Sequence, residues 1–70
     1  MNSYQRRKAR NIAAVLLLAA AQSDTPFSSL PELISRMDDA QWRTISLQAG
    51  VPVADVQCRT LVVAQLISLA

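Results

Sequence analysis

The sequence predicts a single all-helical domain, residues 1–70, with a long helix at each end and two short ones between. Three observations carry this. Residues 13–21 are built almost entirely from alanine and leucine, the strongest helix formers. Helix-start and helix-stop residues (Ser29, Asp38, Gly50, Pro52) recur at short intervals through the rest of the chain. No stretch alternates apolar and polar residues as a strand would, and there is no internal repeat or low-complexity tract.

The first helix is expected from about Tyr4 to Gln22. Between Ile12 and Ala21 it carries no polar residue on any face, more apolar surface than one core-facing stripe needs. Ser23-Asp24-Thr25-Pro26 ends it in a loop. Ser29 and Glu32 have capping-box spacing, so a short second helix is expected from Leu30 to Met37. Its inner face would hold Leu30, Leu33, Ile34 and Met37.

Asp38 and Gln41 form a second capping box, with Met37 and Trp42 at the positions of a hydrophobic staple. Trp42, Ile45 and Ala49 follow helical spacing in this third helix, and Gly50 stops it. The fourth helix is expected to start near Pro52, which suits a first helical turn, and to run to the end. Val53, Val56, Thr60, Val63, Ala64 and Ile67 line one of its faces, while Leu61, Val62, Leu66 and Leu69 cover much of the rest.

Composition narrows the function. The chain has no histidine, one glycine (Gly50) and one cysteine (Cys58). Those absences leave no histidine base, no phosphate loop, no metal set and no disulfide framework, and the five carboxylates show no obvious pairing. A non-enzyme without cofactors is expected. Cys58 reads as a small apolar side chain within a helix. A chain this short buries only about 60% of its unfolded surface, so association is the remaining source of stability. The 51% hydrophobic content then points to a homodimer or a protein partner.

Charge is concentrated at one end. Arg6, Arg7, Lys8 and Arg10 are four of the seven basic residues, a basic tip able to meet phosphates or an acidic partner. The same segment, followed by Ile12–Ala20 and Ala19-Ala20-Ala21, imitates a secretory signal peptide. Cleavage there would leave a remnant that struggles to fold alone, so a cytoplasmic protein is expected, with secretion as the alternative. Ten apolar residues are too few for the roughly 20 that span a bilayer.

Residues 44–60 contain Ile45-Ser46, then Ala49-Gly50-Val51, then Val56. This resembles the helix-turn-helix of bacterial repressors of the Lac-repressor type. The resemblance covers under a quarter of the chain and implies DNA binding, with Gln57 and Arg59 as contacts. The segment departs from the type where base-reading side chains belong, presenting Pro52, Val53 and Ala54.

The surplus apolar surface of the two terminal helices favours a different expectation. It points to a small regulatory or inhibitory adaptor binding protein through Leu17, Leu61, Val62, Leu66 and Leu69. Helix-turn-helix DNA binding is the alternative.

Overall fold

Ile12, Leu16 and Ala20 repeat every fourth residue. In the computed structural model, which describes residues 3–69, they lie on the buried side of a helix spanning Ser3–Gln22 (α1). Ala9 and Ala13 complete that stripe, and their small side chains let other helices approach closely. The helix ends in a Schellman motif. Asp24 adopts a left-handed φ of 55°, and the Thr25 amide donates to Ala20 O at 2.9 Å. Aspartate tolerates that conformation better than most residues.

A 3-10 turn at Phe27–Ser29 leads into α2 (Leu30–Ser35). The capping box expected of Ser29 and Glu32 does not form. Ser29 already has helical dihedrals (φ −89°, ψ −8°), and its hydroxyl donates back to Pro26 O at 2.7 Å. Glu32 instead accepts from Arg36 Nη2 at 2.8 Å. The helix also stops two residues short of Met37. Leu30 and Ile34 are buried, whereas Leu33, expected inside, is half exposed.

The capping box of α3 (Asp39–Gln48) does form. Asp38 accepts from the Gln41 amide at 2.8 Å, and Gln41 accepts from the Asp38 amide at 3.0 Å. Trp42 and Ser46 form its buried face, flanked by Ile45 and Ala49. A second Schellman motif ends it: Gly50 has φ 70°, and the Val51 amide reaches Ser46 O at 3.1 Å.

The fourth helix, α4, spans Val56–Leu69, four residues later than expected. Hydrogen bonds hold the preceding backbone outside the helix. The Ala54 amide donates to Ser46 Oγ at 3.1 Å, Val53 O accepts from Lys8 Nζ at 3.2 Å, and Ala54 O accepts from Arg59 Nε at 3.1 Å. Asp55 then caps the helix by accepting from the Cys58 amide at 2.8 Å.

The fold is therefore an all-α domain of four helices, with no strand among the described residues. Its main packing is α1 against α4, with α3 on α1 and α2 on α4. Ile12, Ile34 and Val62 are the largest fully enclosed apolar side chains. No helix among the described residues is long and apolar enough to cross a membrane.

Candidate functional site: exposed apolar faces and a basic end

The buried side of α4 is Cys58, Val62 and Leu66, each one turn from the next. That register decides what the helix shows to solvent. Val56, Thr60, Ala64 and Ile67 face outward, with Leu69 exposed at the end. Val56 is 77% exposed, the most of any large apolar side chain described. No charged residue interrupts α4 from Thr60 to Leu69.

On α1 the outward stripe is Ala14, Leu18 and Ala21, and Leu18 is 65% exposed. The chain carries no charge from Asn11 to Gln22 either. Both terminal helices thus combine a buried stripe with a mainly apolar outer one, uncharged from Asn11 on α1 and from Thr60 on α4.

This placement corrects the expected partner-binding set. Val62 is fully enclosed and Leu66 nearly so, because they point from α4 into the core; neither can meet a partner while the domain is closed. Leu17 and Leu61 are half buried against the core, and only Leu69 is open. The sequence displayed the surplus but not its direction. Val56, Ile67 and Leu18 are the residues that direction adds.

Two apolar grooves meet at Met37 and Gln41. One, of about 300 Å³, lies between α1, α2 and α3 and is lined by Leu16, Ala20, Leu33 and Ile34 among others. The other, about 470 Å³, follows α3 past Thr44 and Ile45. Sequence periodicity gave no sign of them: the first arises where three helices fail to close, and the second runs along α3 beside Met37 and Asp38.

Arg6, Arg7 and Arg10 are exposed along the start of α1. Lys8 is not part of that tip: it is 6% exposed and bonded to Val53 O. The sequence did carry the signal, for Lys8 is one turn before Ile12 on the buried stripe.

Arg59 is committed to the fold. Its guanidinium donates to Ala54 O and to Asp39 Oδ1 at 2.9 Å, and lies over the Trp42 ring. Gln57 is exposed in the first turn of α4. Arg36 pairs with Glu32, while Arg43 is exposed with no ion pair among the described residues.

Two groups have shifted acidities. The Cys58 amide, and after it Gln5, hold the Asp55 carboxyl below the usual carboxylate range. Burial pushes the Cys58 thiol up, which suppresses the reactive thiolate. Among the described residues no group of three or more histidine, cysteine or acidic side chains is placed to hold a metal ion. Comparison of the chain with protein-family models, with curated proteins and with solved structures found no match.

Proposed function

We propose that this chain is a small non-enzymatic adaptor that binds protein, and that it pairs with a second copy through the outer faces of α1 and α4. One observation carries the reading. The outer face of α4 exposes Val56, Ala64, Ile67 and Leu69 with only hydroxyl and amide side chains among them, and it is uncharged from Thr60 onward, after the core has taken its own residues. Scattered apolar side chains are ordinary on any surface. Depletion of charge over a contiguous helical face is a mark of interface cores.

In this reading the chain works in the cytoplasm with residues 1–21 retained. Ala9, Ile12, Ala13, Leu16 and Ala20 belong to the core, so their removal would leave α4 without its main packing surface.

The test is sedimentation equilibrium on the whole chain. Wild-type protein should be dimeric, and Ile67→Asp or Leu18→Asp should give a folded monomer. A wild-type chain that stays monomeric at high concentration would end the reading.

A second reading draws on the Gly50 turn between α3 and α4 and on the exposure of Gln57 and Arg43. In it, residues 44–60 contact DNA. Arg59 weighs against it, because its donors already serve Ala54 and Asp39. Sequence-specific mobility shift abolished by Gln57→Ala, with the fold intact, would favour it over the adaptor reading.

A further inference from the structure

Tyr4, Arg7 and Asn11 repeat at three- and four-residue spacing and so share one face of α1. Together with Lys8 on their flank and Val51 from the α3–α4 connection, they line a pocket of about 120 Å³. That is well below the roughly 300–1,000 Å³ of a site for a drug-sized ligand. It has room for a small ion.

Every polar side chain in its wall can donate a hydrogen bond. Arg7 offers a planar fork of donors, Asn11 an amide, Tyr4 a hydroxyl and Lys8 an ammonium with three protons. Among the described residues Lys8 makes one hydrogen bond, to Val53 O at 3.2 Å, with the Asp55 charge nearby, although it is more than nine-tenths buried. Burying a charge with so few partners is unfavourable unless something else meets it.

Among the described residues no acidic side chain lines the pocket. The carboxylate that feels the Lys8 charge is Asp55. It is committed to the Cys58 amide at 2.8 Å and to Gln5 Nε2 at 3.2 Å. Arg7 and Lys8 therefore leave the concavity with a net positive charge even after the Asp55 carboxylate behind Lys8 is counted, the sign an oxyanion needs. Arginine adds a geometric match, since its fork bonds two oxygens of one phosphate.

We propose that this pocket is a binding site for a single phosphate-class oxyanion, held by Arg7, Lys8 and Asn11 with Tyr4 at the rim. The site is distinct from the apolar faces of α1 and α4 and does not depend on their docking a partner. It also divides the basic end into two parts. Arg7 and Lys8 belong to the pocket, while Arg6 and Arg10 lie outside its lining.

The experiment is an amide chemical-shift titration of the full chain with inorganic phosphate, with sodium chloride adjusted to hold ionic strength constant. Saturable shifts are expected at Tyr4, Arg7, Asn11 and Val51. Arg7→Ala should weaken binding about tenfold, as loss of a charge-assisted pair does. Arg6→Ala, outside the pocket, should change it by about twofold or less, as expected of an exposed charge. Because Lys8 also supports the connection through Val53, Lys8→Met can unfold the chain, and Asn11→Ala serves as the second pocket variant. Shifts that rise linearly without saturating would overturn the proposal. So would equal losses from Arg6→Ala and Arg7→Ala, or acetate binding as tightly as phosphate.

Discussion

The Arg59 guanidinium carbon lies 5.4 Å from the centre of the Trp42 ring, joining the first turn of α4 to the first turn of α3. The same side chain holds Ala54 O at 3.1 Å and Asp39 at 2.9 Å. An arginine at this position would face phosphate if α4 were a reading helix; here it fastens two helices and the connection between them.

Arg59→Ala should therefore act on stability. Loss of the ring contact and the carbonyl bond is expected to cost about 1–2 kcal/mol. Asp39→Ala should cost far less, because that carboxylate is largely in solvent. Urea denaturation of the two variants checks the order. Equal losses would mean that the ion pair, and not the ring, holds the corner.

Ser46 is a hydroxyl with no access to water. It donates to Trp42 O at 2.7 Å and accepts from the Ala54 amide at 3.1 Å. Ser46→Ala should cost about 1–3 kcal/mol, the penalty for leaving a buried amide unpaired. Hydrogen exchange at Ala54 should accelerate more than exchange within α1. Unchanged protection at Ala54 would show that another acceptor has replaced the hydroxyl.

The two sides of α4 should respond oppositely. Val62→Ala opens the core and should cost about 2–4 kcal/mol, in the range of buried large-to-small changes. Val56→Ala should leave monomer stability within about 0.5 kcal/mol, as for an ordinary surface change. Leu66→Asp should unfold the chain, whereas Ile67→Asp should leave it folded and alter only association. Circular dichroism with sedimentation separates these outcomes.

The acid limb of stability should depend on Asp55. Its folded pKa is lowered from an ordinary value of 3.8, so its contribution is complete above about pH 4. It is lost as pH falls through the lowered folded value. Asp55→Asn keeps a capping oxygen but cannot titrate, and should flatten that limb. The alkaline side has the opposite sign. Cys58 is raised above its ordinary 9.0, so the unfolded thiol ionises first and stability declines as pH climbs beyond that value. Cys58→Ala should remove that decline. Denaturation midpoints across pH, for both variants, test the two signs.

Local signals in the sequence mapped onto the structure closely. The Asp38–Gln41 capping box and the Gly50 stop need only a few neighbouring residues, and both form. The end of α1 at Gln22 was legible because Ser23-Asp24-Thr25-Pro26 follows it directly. The start of α4 was not, since Pro52 is an adequate local start. Bonds from Ser46, Arg59 and the distant Lys8, none of them part of a helical turn, decide otherwise. The Ser29 box failed for a related reason: a 3-10 turn had already set the serine backbone. For the candidate surface, the excess of apolar residues on α4 was visible, but choosing between its stripes required the packing of Cys58, Val62 and Leu66 against α1. Lys8 was legible from spacing alone, although its charge argued for the surface.

The pairing of the first helix with the last has a temporal consequence. The main cover of α1 is α4, and residues 23–55 must be made between them. At roughly 5–20 residues per second, that interval lasts a few seconds, far longer than helix formation itself. Until α4 is made, a helix with a basic start and an alanine–leucine body lacks its main cover. Whatever recognises such helices has its opportunity then, and α4 closes that window on arrival.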